Sequence, residues 1–195
     1  MLFRSRWEER SLNEHLTNKK QQAMYAVIHG GTDPNLRKRS AEILGNLPFD
    51  GYAIGGSMGE NHQQMFDIID NLMPHMPYDK PNHLLGIGDL NSILPFVTKG
   101  IDTMDSSYPT KCARHGVLFH PTQSIKINNA QYTHMHEPID RNCTCYTCKH
   151  YTVAYIRHLF KAHELTAYTL ATIHNIHFMM NYMDQIRLRI LEGQI

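Results

Sequence analysis

Long apolar runs are missing from this sequence: none approaches the ~18 residues that a membrane-spanning helix requires. A dominant charge is missing too. Lys+Arg 19 against Asp+Glu 18 leave +1, so no global field drives the chain onto a polyanion, and any nucleic-acid contact must rest on a local patch. Cysteine is scarce, with four in 195 residues, which excludes a disulfide-stapled scaffold. Low-complexity tracts are absent. The start, Met1-Leu-Phe-Arg-Ser-Arg-Trp-Glu-Glu-Arg10, places charges where a secretory signal needs its apolar core. The expectation is a soluble cytoplasmic protein with no membrane association. What is present is a globular composition, 42% hydrophobic and 19% charged, able to bury a sizeable core.

The apolar pattern alternates between short runs and amphipathic stretches. Residues 4–17 read as an amphipathic helix. Met24–His29 is a short apolar run ending in Gly30-Gly31, which reads as a buried strand. Pro34 to Leu44 is helical, with proline in the first turn. Gly51–Gly55, His83–Gly88 and Gly100–Asp105 read as further strands, with helices predicted over 60–73 and 89–98. Four βα units imply a parallel sheet in an α/β fold. The chain is short of the about 250 residues of a complete (β/α)₈ barrel. After Asp105 the pattern changes to a hairpin over 117–127 and two long helices, about 149–164 and 166–192. The strand ends carry His29-Gly30-Gly31, Gly55-Gly56, Gly86 with Gly88, and Asp105. Ligands of βα folds bind at this edge, where glycine lets backbone approach them closely.

Three of the four cysteines, Cys143, Cys145 and Cys148, lie within six residues, and Cys112 stands alone. Three thiolates and one imidazole suit tetrahedral zinc, and four protein ligands leave no open coordination position, so such an ion is structural. His174 is the expected fourth ligand; His177, three residues on and almost on the same helical face, is the alternative. Residues 141–163 hold Arg141, Lys149, Arg157 and Lys161 and no acid, which offsets the net negative charge of a Cys₃His site.

Several stretches carry a family resemblance: Tyr52-Ala-Ile-Gly-Gly56, Leu85-Gly-Ile-Gly88, Asp105-Ser-Ser-Tyr-Pro-Thr-Lys-Cys-Ala-Arg-His-Gly116, and the set Cys143, Cys145, Cys148 and His174. Together they resemble the tRNA-guanine transglycosylases, or queuine tRNA-ribosyltransferases, over essentially the whole chain. The resemblance implies a (β/α)₈ barrel with a zinc subdomain. It implies an exchange of guanine at the wobble position of GUN anticodons for queuine or another 7-deazaguanine. On it, Asp105 is the nucleophile that attacks C1′ of the ribose. A strand-end carboxylate suits that role, because it can form a glycosyl ester.

The resemblance assigns base contacts to His29, Gly55, Gly56, Ser57 and Leu85, and tRNA contacts to Lys111, Arg114 and His115. His29 stands where the family usually has glutamine, Leu85 where methionine is common, and Lys111 where arginine is usual. Ser57-Met58-Gly59-Glu60 is one residue shorter than the common bacterial loop, which has a valine beside the 7-substituent of the base. Tyr151, Tyr155 and His158 fall where the family uses aromatic side chains in a dimer contact, so a homo- or heterodimer is expected.

The family barrel has eight strands, and this sequence supplies the last four. The second aspartate of the family mechanism, a general acid/base, and a further aspartate that grips the base have no counterpart here. The expectation is therefore the C-terminal half of a barrel over 1–116, followed by hairpin, zinc site and terminal helices over 117–195. The chain reads as truncated and inactive alone. The alternative is a non-catalytic subunit that binds tRNA or completes a partner's barrel.

Overall fold

A computed structural model describes the backbone of residues 2–195 and the side chains from Arg4 onward. The chain forms two compact units, residues 1–106 and 107–195. The helix Tyr108–Arg114, which the sequence analysis groups with the barrel half, clusters with the second unit. Among the described residues, no helix is long and apolar enough to cross a membrane.

The first unit opens with α1 (Leu2–Thr17) and continues through β1 (Tyr25–Ile28), α2 (Pro34–Gly45), β2 (Gly51–Ile54), α3 (His62–Leu72), β3 (Asn82–Leu84), α4 (Ile93–Val97) and β4 (Thr103–Met104). The strands form one parallel sheet in the order β1-β2-β3-β4, as the βα alternation predicts. Two of the helices begin at capped ends. Asp33 accepts from the amides of Asn35 and Leu36 ahead of Pro34, and Asn61 accepts from Gln64; both are N-cap side chains satisfying amides that the helix itself leaves unpaired.

Period two divides the sheet residues. One face carries Ala26, Ile28, Ile54 and Leu84, packed with Ala41 and Leu44 of α2 and Ile69 and Leu72 of α3 in a single core. The other face carries Tyr25, Val27, His83 and Thr103, which are half-buried or exposed, beside the buried Gly51 and Ala53. Parallel strands normally bury both faces.

Several elements are shorter than the sequence predicts: β4 spans only Thr103–Met104, and for β3 and α4 the cause is visible. β3 ends at Leu84, because Leu85 donates the last rung to Ile54 O (3.0 Å) and Gly86 then turns the chain at φ +73°, a conformation costly for other residues. Helix α4 starts only at Ile93, because the Asp89 carboxylate takes the Asn91 amide and the Ser92 hydroxyl and holds a turn there.

The second unit contains α5 (Tyr108–Arg114), the hairpin strands β5 (Val117–Leu118) and β6 (Ile125–Lys126), α6 (Tyr146–His150), α7 (Val153–Lys161) and α8 (Leu165–Leu191). Helix α8 packs against α5, α6, α7 and β5. The predicted helix over 149–164 is in fact two. Tyr151 is extended, and Thr152 caps α7 by accepting from the Tyr155 amide.

Asn175, fully buried on α8, ties this unit together. Its amide nitrogen donates to Pro109 O (3.1 Å) and Val117 O (2.9 Å), and its oxygen accepts from the Phe119 amide (2.9 Å). Asn175→Leu strands these groups in a dry interior and is expected to cost about 2–3 kcal/mol. Denaturant melts of the metal-loaded protein should show that loss; an unchanged midpoint would mean water replaces the amide.

Candidate functional site

At the carboxyl end of the sheet, Asp105 follows β4. His83 on β3 is the register partner of Thr103, so His83, Thr103 and Asp105 share one face. The Gly86 amide donates to Asp105 Oδ1 (2.9 Å), and His83 Nε2 lies 3.1 Å from the same oxygen. His83 Nδ1 is in turn 2.8 Å from Thr103 Oγ1. The Asp105 side chain remains 60% exposed, open to a large reactant. Its carboxyl group is held below the usual aspartate range, mainly by the Gly86 amide; burial opposes this, and the hydrogen bond and charge of His83 add to the lowering. It is ionised at neutral pH, with its lone pairs available to an electrophile. Asp105 is legible in the sequence and His83 is not. The missing signal was register: a strand residue opposite the position two before Asp105.

The other strand-end residues line up beside it. A side chain at Gly55 would collide with Leu85 Cδ1 at 2.8 Å, so glycine there is what lets Leu85 lie across the end of β2. Gly56 and Ser57 are exposed. His29, after β1, is half-buried, with Nδ1 3.2 Å from Arg4 Nη1 and Nε2 3.8 Å from Glu8. Burial, with Arg4 and Arg37 nearby, lowers its pKa; neutral imidazole offers one donor and one acceptor.

Arg37, which the sequence analysis does not single out, organises these loops. It is 1% exposed. It donates to Gly31 O (2.6 Å), Gly55 O (3.1 Å) and Ser57 O (2.9 Å), and Nη2 is 3.2 Å from Met58 Sδ. The guanidinium thus joins the loop after β1 to the loop after β2. Its position on the buried face of α2 with Ala41 and Leu44 was the available signal.

In the second unit, Lys111 and Arg114 are partly or fully exposed on α5, and His115 caps it, with Nδ1 2.7 Å from Lys111 O. Arg114 and His115 line a cavity of about 500 Å³ with Lys161 and His163.

Cys143, Cys145, Cys148 and His174 form a cluster whose ligand atoms lie within 4.8 Å of one another. His174 Nδ1 is 3.7, 3.6 and 3.4 Å from the three sulfurs in chain order. A tetrahedral ion bonded at about 2.3 Å to sulfur and about 2.0 Å to nitrogen sets these edges at roughly 3.5 Å, so the donor set has the size a metal needs. His174 Nε2 lies 2.7 Å from Phe119 O. Donation there fixes the tautomer that frees Nδ1 as ligand. Burial pushes the Cys143 and Cys148 thiols up and the His174 imidazole down; a bound cation is what favours the thiolates. His177 is not in the cluster. It sits 3.2 Å from Thr144 Oγ1 and 3.1 Å from Asn181 Nδ2. Cys145 caps α6 through the Cys148 amide (3.3 Å), and His174 lies two helices further on, in α8.

Tyr151 and Tyr155 stack at 5.5 Å and 13°, with Tyr146 edge-on to Tyr151 at 5.9 Å. The contact spans the break between α6 and α7 instead of one continuous helix.

The sequence matches the family described as "TGT: Queuine tRNA-ribosyltransferase" over residues 3–195. It is 53% identical to a queuine tRNA-ribosyltransferase of Protochlamydia amoebophila (strain UWE25) over 97% of this chain and 49% of that protein. It is 50% identical to one of Chlamydia felis (strain Fe/C-56), over 97% of this chain and 51% of the relative. The chain thus spans about half the length of the curated relatives it matches. With the family matched from residue 3 to residue 195, this chain belongs to the queuine tRNA-ribosyltransferase family.

Proposed function

We propose that this chain is the C-terminal half of a tRNA-guanine transglycosylase and carries its nucleophile, with residues 1–116 forming half of a (β/α)₈ barrel and residues 117–195 a zinc subdomain. The carrying observation is Asp105: an ionised, accessible carboxylate at a strand end, with both bonding donors on one oxygen. The half-exposed second face of the parallel sheet supports a barrel interior that a further half would cover.

In the first step an Asp105 oxygen forms a bond to C1′ of the ribose. The C1′–N9 bond breaks, its electron pair leaves with guanine, and a carboxylic acid supplied by the remaining half protonates the base. In the second step that group, now a carboxylate, takes the proton from N9 of the incoming 7-deazaguanine. N9 bonds to C1′, and the ester electrons return to Asp105. His29, Gly55, Gly56, Ser57 and Leu85 contact the base. Lys111, Arg114 and His115 contact the anticodon arm of a GUN tRNA, which as single-stranded loop and phosphates suits cationic side chains. Zinc, held by Cys143, Cys145, Cys148 and His174, fixes the fold of the subdomain. Tyr151, Tyr155 and His158 contribute to a dimer contact.

The shortened loop favours a large 7-substituent. Met58 turns into the core against Arg37, and a side chain placed at Gly56 would meet nothing within 4 Å. Room of methyl-group scale is worth ~1–3 kcal/mol in discrimination.

The test combines this chain with the N-terminal half of the Protochlamydia amoebophila relative. Labelled guanine should leave a GUN tRNA with the pair and not with this chain alone. Queuine should show a specificity constant at least equal to that of the aminomethyl base. A folded, metal-loaded pair that exchanges nothing would overturn the assignment. A constant for queuine about tenfold lower would overturn the pocket reading.

A further inference from the structure

We infer that His83 is the positioning residue of the reaction: it holds Asp105 Oδ1 between itself and the Gly86 amide so that Oδ2 is the oxygen that attacks. The inference rests on Asp105 being the nucleophile, as proposed above.

A carboxylate only accepts hydrogen bonds, so His83 Nε2, at 3.1 Å from Oδ1, carries a proton there. In the neutral ring Nδ1 then accepts, and the Thr103 hydroxyl at 2.8 Å is its donor. Thr103, His83 and Asp105 form a directed chain, Thr103 to His83 to Asp105. Each link joins β3 to β4 or to the residue just beyond it, across a ladder that pairs His83 with Thr103 and Leu84 with Met104. The imidazole is therefore held at Nδ1 from within the sheet and at Nε2 by the residue just beyond β4. The second donor to Oδ1, the Gly86 amide, belongs to the turn at positive φ that ends β3. Two independent donors on one oxygen set the plane of the carboxylate.

The arrangement serves both halves of the exchange. While Oδ2 forms the ester to C1′, Oδ1 becomes the ester carbonyl oxygen and keeps both donors. When the incoming base attacks C1′ and the C1′–Oδ2 bond breaks, negative charge returns to the carboxylate. Donors already in place stabilise that charge without reorganising, which is where preorganised hydrogen bonds gain most. His83 acts through the nucleophile it touches, so its loss is expected to fall on kcat and to leave KM for tRNA in place.

Two measurements test this. The first uses the chain by itself. Long-range ¹H–¹⁵N spectra, with the His83 signal assigned by its loss in His83→Phe, should show an imidazole protonated at Nε2. Asp105→Ala should shift that signal. A ring protonated only at Nδ1, or a signal indifferent to Asp105→Ala, overturns the inference. The second uses the chain paired with the N-terminal half. His83→Phe should lower kcat about 10- to 100-fold at unchanged KM for tRNA, and His83→Gln, which restores an N–H donor, should recover most of the loss. Wild-type kcat in His83→Phe, or no recovery in His83→Gln while both variants keep dispersed spectra, also overturns it. Failure of the nucleophile reading looks different: exchange that survives Asp105→Ala while the His83 signal still responds to that substitution.

Discussion

Metal removal should unfold residues 107–195. Cys143, Cys145 and Cys148 reach one point from the loop before α6 and from α6 itself, and His174 reaches it from the middle of α8. His174 also holds Phe119 O beside β5, so a single ion bound there would join hairpin end, loop and long helix. Structural sites of this type are worth on the order of 10 kcal/mol in small domains, as much as the whole stability of many such units. The second core, with Leu118, Ile127, Val153, Ile156 and Leu170, offsets part of that loss. The expected result is one zinc per chain by elemental analysis, and collapse of near-ultraviolet dichroism on chelation. Cys145→Ser should lose the metal and show the same collapse. Because the ligands bind as thiolates and neutral imidazole, the metal should be released as pH falls and the sulfurs protonate. A metal-free protein with unchanged dichroism would contradict the assignment of a structural ion.

Sequence reached some parts of this molecule and not others for identifiable reasons. The cysteine triplet was readable because its ligands are local, and a tight loop leaves thiols three residues apart little choice but to converge. Its fourth ligand was ambiguous because His174 and His177 differ by about 60° around a helix; only the position of α8 separates them. Four βα units were readable because short apolar runs, strand-end glycines and amphipathic stretches alternate along the chain. Their ends were not. Gly86 stops β3 through one backbone angle, and Asp89 delays α4 through side-chain bonds that compete with the helix. The break at Tyr151 was hidden because the apolar period continues across it, while the Thr152 cap is a single side chain. His83 and Arg37 were missed because their meaning lies in other segments, twenty-two residues away for Asp105 and eighteen and twenty for the carbonyls of Gly55 and Ser57. The role of Asp105 came from resemblance; the geometry adds the two donors on Oδ1.

Asp105→Ala should remove base exchange from the chain paired with its N-terminal half, by on the order of 10⁴-fold or more, as loss of a covalent nucleophile does elsewhere. Asp105→Asn is the sharper variant. An amide is isosteric and its oxygen still accepts from Gly86 and His83, so the strand end keeps its hydrogen bonds. It lacks the anionic lone pair that must bond to C1′. Both variants should keep the metal and the melting behaviour of the parent, since the Asp105 side chain is largely exposed.

The most direct test of the account is to trap the covalent species. The paired protein is incubated with GUN tRNA without an incoming base, denatured, digested with nuclease and protease, and analysed by mass spectrometry. The account predicts a ribosyl remnant on the peptide containing Asp105, on that residue, and none in Asp105→Asn. A remnant on a different residue, or an undiminished adduct in Asp105→Asn, would contradict it.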